Sequence, residues 1–488
     1  MKGTITYAGL AIALLLTSTI NAESLVETYD KALRSDPAIR EAEARMMATL
    51  EKKPQARATL LPQLGLGGNL TNRISDGIST TEFAGAQDIR DQKRDDDTYT
   101  WQVDLQQTIF DTAAWRQLRR SDKEVAQARI DYESARQDLI LRVAEAYFNV
   151  LASQDTLASE RATKDAIARQ LEQSTRRFEV GLIAITDVKE SQAAYDDAIA
   201  LEIAARRALA SAKEALREVT GEYPETLATP GTEFPLIPPE PLIEQDWVDV
   251  ALQQNSALES AKIGVEISRS NIQIAKSGHL PTVNLTAQYG NSRREGTLRD
   301  NADFSISDNE SDQTNKQIGI GFSLPIYSGG STSSAVQEQV YLHRASRENY
   351  EKVARSTERQ TRDAYLGVIA EIARVRALAR SVESNQTALE ATEAGYDVGT
   401  RTTVDVLNSR ESLFRAETQY ARSKYDYLIN VLKLKQSAGT LAAADVSEID
   451  NWLKVSEQLD VIPGRGGQPD VQMEETTVPT QPEAGSGE

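Results

Sequence analysis

Two periodicities divide the chain. Ile318, Ile320, Phe322, Leu324 and Ile326 alternate with Gln317, Gly319, Gly321, Ser323 and Pro325, and Val283, Leu285, Ala287 and Tyr289 alternate with Asn284, Thr286 and Gln288. The same rhythm appears earlier, at Leu64, Leu66 and Leu70 and again at Trp101, Val103 and Leu105. Period two with one apolar and one polar face marks a half-buried strand. The pattern predicts strands near 62–73, 98–109, 281–292 and 316–326, joined pairwise by long polar loops over 74–97 and 294–315. Apart from Asp104 the polar face is small and neutral, and the apolar face is expected to carry no charge.

The second periodicity is helical. Between Thr112 and Glu179 there is neither Pro nor Gly, a stretch of 68 residues, or roughly 100 Å at 1.5 Å per residue. Tyr132, Ala135, Leu139, Val143, Ala146 and Val150 recur by threes and fours, the stripe of a helix packed on helices. Arg, Glu, Asp and Gln crowd the other faces, so these helices meet water. A second long helix is expected over 331–397, with shorter returning helices over 187–220 and 405–437.

These parts occur twice. Arg177-Phe178-Glu179-Val180-Gly181 returns as Gly395-Tyr396-Asp397-Val398-Gly399, about 218 positions later, and Asp187-Val188 returns as Asp405-Val406 at the same shift. Two structural repeats follow, 23–220 and 247–441. A Pro-rich linker over 221–246, with Pro224, Pro230, Pro235, Pro238, Pro239 and Pro241, is unsuited to helix or central strand. Residues 442–460 form a short equatorial segment, and 461–488, nearly devoid of large apolar residues, read as a disordered tail.

The N-terminus carries Lys2, a short apolar run over Ala8 to Leu16, and the small Ala22, which together fit a secretory signal peptide over 1–22. The chain holds no Cys and two His, and 54 Lys+Arg against 73 Asp+Glu give a net charge of −19. Disulfides, thiolate metal sites and Cys nucleophiles are excluded. The charge argues against a general nucleic-acid binder, because neutralising phosphates needs clustered cations. His279 precedes Leu280-Pro281 and reads as a turn or interface residue, and His343 reads as a solvated residue on a polar helix face. No His-Glu-x-x-His, Gly-x-Ser-x-Gly or phosphate-binding loop is present, so neither an enzyme nor a cofactor is expected.

Strands with one apolar face suit either a soluble antiparallel sheet or a membrane barrel. The setting favours the barrel. A lipid-facing Lys or Arg costs about 2–4 kcal/mol at the midplane, and aromatic residues flank the strands: Tyr99 and Trp101 at one end, Phe110 and Trp115 at the other. Four strands cannot close a barrel, and lipid does not allow open edges. Several chains must then share one, and three copies leave a lumen that two do not. A soluble periplasmic coiled-coil scaffold or adaptor is the rival reading.

The segments Gln173-Ser174-Thr175-Arg176-Arg177-Phe178-Glu179-Val180-Gly181-Leu182-Ile183-Ala184-Ile185-Thr186-Asp187-Val188, Gly278-His279-Leu280-Pro281-Thr282, Ser323-Leu324-Pro325-Ile326-Tyr327 and Gly395-Tyr396-Asp397-Val398-Gly399-Thr400-Arg401-Thr402 resemble the TolC family of outer-membrane efflux channels. The resemblance covers the chain from Glu23 to about Leu441. It implies an α+β membrane protein: a homotrimer whose four strands per chain make a 12-stranded β-barrel in the outer membrane, continuing into a long periplasmic α-helical coiled-coil barrel. It also implies a periplasmic adaptor (membrane fusion) protein and an inner-membrane pump of RND, ABC or MFS type as partners. Drugs, toxins or proteins would leave through it passively.

At the two helix turns, Gly181 and Gly399 fit left-handed C′ positions. Asp187 and Asp405 fit the positive ends of the returning helices, where a carboxylate accepts free N–H groups. Spacing alone makes these residues caps. The resemblance adds a gate latch in which Thr186 and Asp187 accept bonds from Tyr396 and Arg401. It also gives a pore ring of Asp405 carboxylates, with Asn408 standing in the second-ring position where a further Asp is expected.

Overall fold

The computed structural model describes residues 22–83, 86–224, 226–230, 235–300 and 305–454. The signal peptide (apart from Ala22), residues 455–460 of the equatorial segment and the 461–488 tail lie outside the described residues.

The chain opens with three short helices, α1 (Leu25–Ser35), α2 (Pro37–Leu50) and α3 (Lys52–Ala58), then a hairpin of β1 (Gln63–Phe83) and β2 (Ala86–Asp111). α4 (Thr112–Glu179) and α5 (Ile185–Thr220) follow, then a two-residue strand, β3 (Thr229–Pro230). α6 (Glu244–Gln254) and α7 (Ser256–Lys276) lead to a second hairpin, β4 (Thr282–Asp300) and β5 (Ser305–Ser323). α8 (Ser331–Asp397), α9 (Thr403–Ser437), α10 (Ala443–Asp450) and β6 (Leu453–Lys454) complete it.

The strands are longer than the apolar alternation predicts. Residues 74–97 and 294–315, expected as loops, continue the ladders: Ile74 pairs with Asp95, Ile78 with Asp91, Arg294 with Ser311 and Thr297 with Asp308. A paired backbone satisfies its own N–H and C=O groups, so the hairpins persist after the regular apolar alternation stops. Leu324 and Ile326, by contrast, lie beyond the end of β5.

The sheet order is β1-β2-β4-β5, antiparallel throughout, with β1 and β5 as its edges. The helices follow the same order below it, α4 packing on α3 and α7, and α7 on α8. Asp111 caps α4 by accepting from the Ala113 N–H at 2.7 Å, which turns β2 directly into the long helix.

The core lies midway along the long helices, where α1, α10 and the Pro-rich segment wrap them. Leu139, Val143, Tyr147, Phe148 and Leu151 of α4 meet Leu25, Leu216, Tyr425, Leu428 and Leu432, all buried. The segment is fastened by two tyrosines. Tyr147 donates to the Ala228 carbonyl at 2.8 Å, and Tyr427 donates to the Ile237 carbonyl at 2.8 Å. Burial, reinforced by the carboxylates of Asp450, Glu23 and Glu27, raises the Tyr147 hydroxyl far above its ordinary pKa, so it stays a donor.

Candidate functional site

Two regions carry the chemistry: the sheet and the helix tips opposite it. On the sheet, one register row runs Leu64, Leu105, Ala287, Ile318. The apolar belt is not parallel to this row. On β1 it lies beyond the row, at Leu66 and Leu70, and on β2 at Val103, Trp101 and Tyr99. On β4 and β5 it lies mostly on the other side, at Leu285 and Val283 and at Ile320 and Phe322. Most of these side chains are exposed in one chain, Leu66 by 79% and Ile318 by 78%, while Val103, Val283 and Leu285 are half-buried. A belt that slides steadily across a register is what tilted strands present to a flat slab.

One expectation fails here. Lys316 shares the face of Ile318, and its ammonium sits 5.5 Å from the centre of the Tyr289 ring. The slide of the belt explains it: on β5 this position is already past the apolar stretch, at the aromatic rim, where an amphipathic cation is tolerated. Trp101 packs edge-on to Tyr289 at 5.6 Å in the same rim.

The other face of the sheet is small and neutral along the belt: Gln63, Gly65, Gly67 and Asn69 on β1, Thr100 and Gln102 on β2, Thr286, Gln288 and Gly290 on β4, Gln317 and Gly319 on β5. Gln288 donates to Gln102 at 2.9 Å, and Gln102 donates to Asp104 at 3.0 Å, so Asp104 is tied into this wall. Gly290 is required by closeness, since a Cβ there would meet the Trp101 carbonyl at 2.5 Å.

At the opposite end, α4 and α8 close with the same turn. The Gly181 N–H reaches the Phe178 carbonyl and the Leu182 N–H the Arg177 carbonyl, each at 2.9 Å; Gly399 and Thr400 repeat this on Tyr396 and Gly395. This pairing is the Schellman motif, and Gly181 and Gly399 have φ of 76° and 80°, which only glycine adopts cheaply.

The helices leaving the turns differ. α9 starts with a complete capping box: the Asp405 N–H donates to the Thr402 hydroxyl at 3.2 Å, and the Thr402 N–H donates back to the Asp405 carboxylate at 2.9 Å. Those bonds, aided by the charge of Arg401, hold the Asp405 carboxyl below its ordinary range. In the first copy the corresponding N-cap is Ala184, and no side chain caps α5. Asp187 therefore lies in the first turn of α5 without acting as a cap, contrary to the sequence expectation.

Among the described residues of one chain, no hydrogen bond or ion pair joins Thr186 or Asp187 to Tyr396 or Arg401. Tyr396 instead accepts from the Thr403 hydroxyl at 3.4 Å and lies under the Arg177 guanidinium, 4.8 Å from the ring centre. Arg177 also stands 3.9 Å from Asp397. Sequence reading missed Arg177; the repeat held the signal, since the matching residue in the second copy is Gly395. That glycine makes room for Arg401, whose Cγ would lie 2.8 Å from an added Cβ. Asn408 is exposed, and its carbonyl accepts from Ser412 at 2.8 Å.

Above the tip, polar rungs tie α9 to α4. Arg410 reaches the Ala166 carbonyl at 3.4 Å, Thr418 meets Ser159 at 3.1 Å, Tyr425 donates to Asp155 at 2.7 Å, and Gln436 donates to Asp138 at 2.6 Å. Of the two histidines, His279 is exposed in a 3₁₀ turn. His343 is half-buried and bonded to Ser268 at 2.9 Å, not solvated as expected, because α7 packs over that face of α8. Among the described residues no group of three or more His, Asp or Glu could hold a metal, and no helix is long and apolar enough to cross a membrane.

Comparison with known proteins agrees with this layout. The family model for outer membrane efflux proteins matches residues 28–222 and 247–440. Outer membrane protein TolC of Escherichia coli (strain K12) is 36% identical over 449 residues, covering 90% of this chain and 86% of that protein. The alkaline protease secretion protein AprF of Pseudomonas aeruginosa is 31% identical over 451 residues, 91% of this chain and 90% of its own. Among solved structures, the outer membrane protein VceC of Vibrio cholerae superposes with a TM-score of 0.66 at 20% identity, covering 85% of this chain and 96% of that one.

Proposed function

We propose that this chain, which belongs to the outer membrane efflux protein family, is one of three identical staves of a gated conduit. It is an outer-membrane exit duct of efflux and secretion systems, and extends from that membrane into the periplasm. The trimer is our reading. It is carried by one observation: a four-stranded sheet with an apolar, slanted belt and two unpaired edges, β1 and β5. Edges in lipid must pair. With β1 of one copy laddered on β5 of the next, three copies close a twelve-stranded barrel with a watery lumen.

The small neutral face then lines the lumen, and the long helices continue the bore through the periplasm. No step of chemistry is assigned to the chain; the driving energy comes from an inner-membrane pump of RND, ABC or MFS type, coupled through a periplasmic adaptor. AprF is named for protease secretion and TolC for its membrane, so the cargo class stays open between small molecules and proteins.

The tips form the gate. Among the described residues the Asp187 carboxylate makes no hydrogen bond or ion pair, and the Arg401 guanidinium makes none beyond the field it lends Asp405, so the latch of Thr186 and Asp187 with Tyr396 and Arg401 is completed when subunits assemble. Each charge-assisted bond adds about 1.5–3 kcal/mol when sheltered. That is enough to hold a mouth shut and small enough for an adaptor to reverse. In planar bilayers, Arg401→Ser and Tyr396→Phe should each raise single-channel conductance. Unchanged conductance in both would remove the latch while leaving the duct intact.

A further inference from the structure

Beyond the apolar belt, the two faces of the hairpins differ in charge. The face continuous with the neutral wall carries Arg73 on β1, Arg94 on β2 and Arg294 on β4. On β2 and β4 the belt ends at Tyr99 and Tyr289, so Arg94 and Arg294 each sit five positions further out, while Arg73 on β1 lies three beyond Leu70, next to the exposed Ile74 of the opposite face. Arg94 and Arg294 therefore stand at one height above the belt, and Arg73, in the register row of Asp96 and Gly296, lies two positions from each of them. All three are exposed.

Asp96 is the acid among them, opposite Arg73 across the ladder and two positions from Arg94. It is only 5% exposed and lies over Gly296, where a Cβ would stand 2.2 Å from its Oδ1. The carboxylate is sunk in the wall, and among the described residues no hydrogen bond or ion pair joins it to the three exposed guanidinium groups. Further out, Asp300 accepts from Gln92 at 3.3 Å. The opposite face bears Asp95, Asp97, Glu295, Asp308 and Glu310, with Arg293 bonded to Glu295 at 2.6 Å and to Glu310 at 3.1 Å.

We propose that Arg73, Arg94 and Arg294 form a cationic ring on the inner wall of the extracellular mouth, a binding site for soluble phosphate-bearing polyanions. This rests on the shared barrel proposed above, which makes that face the lumen. Three arginines per chain repeat around the axis, and planar guanidinium forks match phosphate oxygens pairwise. A ring of one sign in a narrow passage also selects ions of the other. Lipid phosphates cannot reach an inner wall, so the ligand comes from solution. The two mouths of the duct are then of opposite sign, arginine outside and Asp405 at the periplasmic tips.

The test uses the intact protein in planar bilayers, with inositol hexakisphosphate added to the barrel side. Reversible block of the current is expected, weakened by about tenfold or more in the Arg73→Ser/Arg94→Ser/Arg294→Ser variant. The single variant Arg294→Ser guards against a misassembled triple variant: its zero-current potential in a KCl gradient should move toward cation selectivity. A conducting wild type that is not blocked, or variants blocked as strongly and with unshifted potentials, overturns the ring. A wild type with no current at all overturns the shared barrel and the ring together.

Discussion

One hydroxyl separates the two tip turns. Thr402 gives α9 a capping box with Asp405, and Ala184 gives α5 nothing at the matching place. Its bonds from Thr402 hold Asp405 ionised, since a carboxyl whose folded pKa is lowered keeps its contribution above the ordinary range and loses it only as pH falls through the lowered value. Block of the channel by polyvalent cations from the tip side should therefore survive mild acid. In Thr402→Ala, whose helix start loses about 1 kcal/mol, the block should fade at a higher pH than in the wild type. A titration of block against pH checks this, and coincident curves would contradict it. Asn408→Asp, one helical turn on, should add a second ring and strengthen the block. The glycine turns and the acidic residues after them were legible in sequence because only glycine tolerates those φ values. The missing cap on α5 was legible too, as Ala184, but a lone alanine draws no notice until the hydroxyl opposite is seen at work.

At the level of elements, the helices are held by polar contacts as much as by apolar ones. Between α4 and α5, Glu202 is buried and receives Lys164 at 2.8 Å and Arg206 at 2.8 Å. Its carboxyl is pulled down to about 2, first by the Lys164 bond and then by the Arg206 bond. The stabilisation is complete above the ordinary carboxylate range, near about 4.3, and is lost as pH falls toward about 2. In thermal melts Glu202→Gln should be less stable than the wild type at neutral pH, with the difference shrinking across that acid window. A difference independent of pH would assign Glu202 to packing alone. The α4 helix could be read end to end from Asp111 and Gly181, because punctuation residues bracket an uninterrupted run. The strands could be read only where they cross the belt. Their polar extensions carry no alternation of hydrophobicity, and ladder pairing alone, invisible to a periodicity argument, sustains them.

At the scale of the molecule, the slanted belt would set which residues of neighbouring copies meet in the proposed barrel. Leu66 on β1 and Ile320 on β5 both lie within it, on opposite edges of the sheet. The chain has no native cysteine, so Leu66→Cys with Ile320→Cys offers a clean pair. Oxidation should give covalent dimers and trimers on non-reducing gels, with two intervening strands forbidding a bridge within one chain. Material that stays wholly monomeric would contradict the shared barrel. The four strands of the large sheet were legible as four alternating runs, unlike the two-residue β3 and β6, yet the slide of the belt emerged only with the register, since it is a relation between strands and not a property of any one.

The inner wall deserves a last consequence. Gly65, Gly67 and Gly319 leave bare backbone where other linings would raise side chains, and amides of Gln and Asn fill the spaces between. Such a surface offers a passing molecule no greasy foothold and few fixed charges to cling to. If three copies close the proposed barrel, cargo of unlike size and polarity would pass this stretch without sticking, and selection would fall to the two charged mouths and to whatever delivers the cargo.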